Sequence, residues 1–91
     1  MTYEFAKYSD GTIGVFSNIG KKENGEEYIR VTFERPTDIG FDTYVIELPG
    51  YKIISEEGNY SKEEKDNFMK IAKNGASFFF KYARQGGLKI A

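Results

Sequence analysis

The chain has 91 residues, with seven tyrosines, eight phenylalanines, no cysteine, no histidine and a net charge of −1. The missing cysteine excludes disulfides and thiolate chemistry, and the missing histidine removes the usual proton shuttle and the commonest transition-metal ligand. The length fits one domain, 1–91, whose aromatic rings must supply much of a small core. The net charge conceals a division: residues 1–59 carry six Lys or Arg and eleven Asp or Glu, whereas residues 60–91 carry seven and three. An acidic first part and a basic last part imply two surfaces that attract different partners, or one surface that attracts its opposite on a second copy.

In chain order, Tyr3–Tyr8 alternates as a strand, and Asp10-Gly11 is a hairpin turn signal. Residues 13–18 alternate as a second strand, and Asn24-Gly25 marks the tip of a long second hairpin. In "YIRVTFE", Ile29, Val31 and Phe33 point one way and Arg30, Thr32 and Glu34 the other. Pro36 is expected to end this strand by removing a ladder donor, with "TDIG" as loop. "FDTYVIEL" reads as a fourth strand, Pro49-Gly50 as a turn, and "YKIIS" as a short fifth. Short links between successive strands predict an antiparallel meander of four to five strands over about residues 2–56.

Ser61 to Glu64 has the spacing of a capping box, and Glu63, Glu64 and Asp66 suit the positive end of a helix dipole. Gly86-Gly87 supplies a stop, with Lys81 and Arg84 near the last turn. These signals predict one long amphipathic helix over about 61–85, and hence an α+β fold. Asn74-Gly75 leaves open a break into two helices, and "SFFFKYA" leaves open a strand reading with Gly86-Gly87 as its turn. "LKIA" reads as a last edge strand or a packed tail.

At 100° per residue, Phe68, Ile71, Ala72, Gly75, Phe79, Tyr82 and Ala83 fall on the arc that would face the sheet. Phe78 falls at its boundary. Phe80 falls on the opposite side with Lys73 and Arg84, and Met69 at the other edge of the basic stripe. Met69, Lys70, Lys73, Phe80, Lys81 and Arg84 are therefore the expected partner-binding residues. An aromatic ring among cations suits a nucleic-acid base beside its phosphate, and equally an acidic protein with an apolar anchor. The same pattern is also what a solvated helix face looks like.

Catalytic, cofactor-binding and metal residues are not evident. Neighbouring carboxylates in Glu26-Glu27 and Glu56-Glu57 would point to opposite sides of a strand, so neither pair converges as an acid–base dyad. Glu34, Asp38 and Asp42 could offer oxygens to a divalent cation, although their spacing matches no EF-hand. "NIGKKENGEE" lacks P-loop spacing, and the serines have no histidine to activate them. Tyr28 and Tyr51 are a third candidate, as a stacking surface for a sugar or other ring on the outer face of the sheet. Leu48-Pro49-Gly50 followed by "YSKEE" resembles the turn before a helix in HicB-type antitoxins; the overlap is a few common residues and the preceding strand count differs, so it assigns no family.

The expectation is a non-catalytic interaction protein without a cofactor. Its partner would be another protein or a second copy, as for an inhibitor or an antitoxin-like factor. The alternative is a nucleic-acid-binding module using the basic helix face. The N-terminal residues carry no basic and apolar leader pattern and no stretch reaches the length of a membrane span, so a cytoplasmic place and no membrane partner are expected. The abundance of Lys, Ile, Asn, Phe and Tyr suits an AT-rich bacterial or phage genome.

Overall fold

The computed structural model describes residues 2–86. Its elements are β1 (Thr2–Lys7), β2 (Ile13–Ser17), β3 (Gly20–Lys21), β4 (Glu27–Thr37), β5 (Gly40–Leu48), β6 (Lys52–Glu57) and α1 (Lys62–Arg84). The sheet runs β1-β2-β4-β5-β6 with every neighbour antiparallel, and β3 pairs with the start of β4. This is the α+β meander with one C-terminal helix that the alternation and the short turns predict.

The two Gly-containing turns form where the sequence places them. Around Asp10-Gly11, the Tyr8 N–H donates to the Thr12 carbonyl, and the Asp10 carboxylate accepts from the Thr12 N–H at 2.9 Å. Around Asn24-Gly25, the Lys22 N–H donates to the Glu26 carbonyl.

Pro36 does not end its strand. β4 continues through Thr37, and Pro36 lies opposite Phe41 on β5. The Arg30 N–H donates to the Ser17 hydroxyl at the end of β2, so even-numbered residues of β4 aim their N–H toward β2. Pairing with β2 stops at Glu34. The donor that Pro36 lacks would thus face an unpaired edge, where its loss removes no ladder bond.

The helix begins on the expected capping box. The Glu64 N–H donates to Ser61 Oγ at 3.1 Å, and the Ser61 N–H donates to Glu64 Oε1 at 2.9 Å. It runs unbroken through Asn74-Gly75, so neither the two-helix nor the strand reading holds. Gly75 lies one turn before Phe79, whose ring leans back toward the helix N-terminus, as long helical side chains do. A Cβ on Gly75 would sit 2.9 Å from that ring. The glycine makes room for its own helix neighbour. "LKIA" lies outside the described residues.

The core lies between the helix and one sheet face. Phe16, Ile29, Val31, Phe33, Tyr44, Ile46 and Leu48 come from the strands, and Phe68, Ala72, Phe79 and Ala83 from α1. Phe33 and Phe68 stack at 4.1 Å between centroids, and Phe79 packs on Phe5 and Phe16 at 4.8 and 5.3 Å. Gly14 belongs to this arrangement, since a Cβ there would meet the Phe5 ring at 2.7 Å.

Of the three consecutive phenylalanines, Phe79 is buried as the helical wheel predicts. Phe80 is not the exposed ring. It is half-buried and packs against the core, while Phe78 is 40% exposed. The reason is position as well as width: at about 100° per residue Phe80 lies roughly 60° from buried Ala83 and roughly 20° from half-buried Met69, so it flanks the inward arc and does not oppose it. Five strands about 4.8 Å apart span roughly 19 Å between outer axes, against a helix about 10 Å across. The sheet extends past the helix on both sides, so residues flanking the inward arc still find apolar surface beneath them.

Candidate functional site

The expected basic stripe is present but partly spoken for. Arg84 forms two hydrogen bonds with Glu27, at 2.7 and 3.2 Å. Lys62 pairs with Asp66 and Lys65 with Glu56. The Lys73 ammonium lies 5.7 Å from the centroid of the Tyr51 ring, and that of Lys81 5.5 Å from Tyr82. Lys70, Lys73 and Lys81 are exposed and make no ion pair among the described residues. Met69 is half-buried, one turn from Lys65 and from Lys73, whose contacts with Glu56 and Tyr51 put this flank of the helix over β6. Of the six expected residues, Lys70, Lys73 and Lys81 are thus exposed, Arg84 is exposed but paired with Glu27, and Met69 and Phe80 are half-buried against the core.

The other candidates also separate. Tyr51 faces the helix through Lys73. Tyr28 has the strand parity of Arg30, on the opposite face, with Lys22 and Arg30 beside its ring. The two tyrosines cannot stack one ligand. Glu34 and Asp42 likewise lie on opposite faces, and Asp38 is in the turn between their strands. Among the described residues no group of three Asp or Glu could hold a metal ion. Glu56 and Glu57 lie on opposite faces of β6 as expected, while Glu26, before β4, accepts from Asn24 and Glu27 pairs with Arg84.

Sequence reasoning missed a polar hub around Arg35. Arg35 Nε and Nη2 both donate to Asp42 Oδ2, at 2.9 and 2.8 Å, while the other Asp42 oxygen accepts the Asn59 N–H at 2.8 Å. Arg35 Nη1 reaches Asp10 and Glu64, each at 2.9 Å. The guanidinium lies over the Tyr60 ring, 4.6 Å from its centroid, and the Tyr60 hydroxyl shares a hydrogen bond with Thr12. One cation thus joins the first turn of the sheet, the β4–β5 hairpin, the link into the helix and the helix's first turn. The Asn59 N–H and then Arg35 hold the Asp42 carboxyl below its ordinary range. The Thr12 N–H does the same for Asp10, and the Ser61 N–H for Glu64. Every group here is committed to another, so the hub is a fastening and offers no substrate an unpaired acid or base.

What the hub fastens is a projecting arm. β2 pairs with β4 only as far as Glu34, and β6 with β5 only as far as Thr43. Residues 35–42 continue alone as a two-stranded hairpin, about 10 Å beyond the sheet. Its turn is Asp38-Ile39, with Ile39 96% exposed. Pro36 and Phe41 face each other across the strands on the side away from the helix, and Phe41 is 58% exposed. Glu34 and Asp38 beside them enter no ion pair among the described residues. The signal in the sequence was an isoleucine inside the polar run "TDIG".

Comparison with protein-family models, curated proteins and solved structures finds no match to the chain. Among the described residues no helix is long and apolar enough to cross a membrane.

Proposed function

We propose that this protein is a non-catalytic protein-interaction module and that the β4–β5 arm is its contact element. The observation that carries the reading is the exposure of Ile39 and Phe41 at the end of a hairpin whose root is locked by Arg35 and Asp42. Apolar side chains on a preorganised projection lose little conformational freedom when they enter a pocket, which is how binding anchors gain affinity. The arrangement fits an inhibitor-like or accessory role, in which a rigid tip fills a partner's cavity. The flanking carboxylates of Glu34 and Asp38 favour a partner surface carrying cations.

The test is affinity capture from the cells that naturally make the protein, comparing the wild type with Ile39→Asp and Phe41→Asp. A specific protein, this chain included, is expected with the wild type and not with either variant, while both variants keep the wild-type melting temperature. Equal recovery with all three would refute the arm's role.

A further inference from the structure

Resting on the protein-interaction reading, we infer that the arm's tip docks on a second copy of this chain, in the trough between β6 and α1.

The trough is defined by two contacts. At one end Lys65 pairs with Glu56 at 3.2 Å, and at the other Lys73 lies over the Tyr51 ring. Met69 is one helical turn from each lysine, midway along this flank. Below it, Ile53 pairs with Ile46 on the helix-facing side of the sheet yet stays 43% exposed, because β6 is the last strand. The result is an apolar window of Ile53 and half-buried Met69 with cations at its margin. Lys73 carries charge that no described carboxylate neutralises.

The arm has the reverse pattern: Ile39 and Phe41 with Glu34 and Asp38, whose charges no described cation neutralises. Two unpaired carboxylates beside apolar side chains therefore meet the unpaired ammonium group of Lys73 beside an apolar window. A chain cannot satisfy itself this way. Ile39 lies seven residues along β5 from Ile46, about 24 Å in an extended strand, and the hub holds the arm's root in place. The neighbour must be another molecule. Donor and acceptor patches differ, so a single contact is heterologous and adds copies head to tail, unless two copies exchange tips about a two-fold axis and close as a dimer. A hairpin tip is a small contact, so the association is weak and salt-sensitive.

The experiment is sedimentation velocity from low micromolar to millimolar protein at low salt, on the wild type, Ile39→Asp and Lys73→Glu, and on an equimolar mixture of the two variants. Both substituted side chains are exposed, so folding is retained, as circular dichroism checks. The wild-type average mass is expected to at least double over the range and to fall back in high salt. Each variant alone stays monomeric. The mixture forms one-to-one dimers and grows no further, because one variant keeps its trough and the other its tip. A wild type monomeric throughout overturns the inference, and so do variants that associate like the wild type or a mixture that stays monomeric. If the wild type is monomeric but captures another protein through an intact tip, self-docking fails and the interaction reading stands. Failure of both experiments removes both.

Discussion

Asp42 divides its carboxylate between two jobs: one oxygen takes both Nε and Nη2 of Arg35, and the other takes the backbone N–H of Asn59. The first fixes the root of the projecting hairpin, and the second fixes the entry to the helix. Position and projection of the arm therefore depend on a side chain that itself points inward and is 3% exposed.

Replacing Arg35 with leucine leaves Asp42, Asp10 and Glu64 without their shared cation. Stranding a buried carboxylate is among the costlier single changes. Arg35→Leu is expected to lower the melting temperature by roughly 10 °C, read by differential scanning calorimetry. An unchanged temperature would mean that the hub is not a structural fastening.

The hub also sets the acid response. The folded state holds the Asp10, Asp42 and Glu64 carboxyls below their ordinary values, so each contributes stability above its unfolded value and loses it as pH falls through the folded one. Urea midpoints should stay level from neutral pH down to about 5 and fall steeply below about 4. Arg35→Leu should lessen that fall without abolishing it, because the backbone N–H donors that lower these carboxyls most remain. A midpoint that rises on acidification would contradict the sign.

Glycine to alanine inside a helix usually stabilises by about 1 kcal/mol. Gly75→Ala should do the opposite, costing about 1 kcal/mol or more, because the new Cβ meets the Phe79 ring at 2.9 Å. In a double-mutant cycle with Phe79→Leu the penalty should disappear. A stabilising Gly75→Ala in the wild-type background would show that the ring has room to move away.

The three phenylalanines should rank by depth. Phe79→Ala is expected to cost about 3–5 kcal/mol, as for a fully enclosed ring. Phe80→Ala should cost less but remain measurable, about 1–2 kcal/mol for half the buried area. Urea denaturation of the two variants decides it, and a silent Phe80→Ala would restore that ring to the surface.

The elements were legible because their signals are local. Alternation in β4 and β5, the Asp10-Gly11 and Asn24-Gly25 turns and the Ser61–Glu64 box each lie within a few residues. The Arg35 hub was not, since its partners lie 7, 25 and 29 residues away in sequence. Pro36 misled because its effect depends on whether a neighbouring strand reaches that far. Phe80 misled because it stands at the edge of the inward arc, roughly 60° from Ala83, where a sheet wider than the helix still covers it. The basic stripe was readable as composition, but the pairing of Arg84 with Glu27 across the fold was not.

The claim that the arm is the working surface is tested most directly by placing a photoactivatable residue at position 39 in the natural cells, with position 77, where exposed Ser77 lies on the helix, as control. One discrete adduct from position 39, absent from position 77 and lost with Phe41→Asp, is the expected result. No adduct at position 39, or the same adducts from both positions, would contradict it.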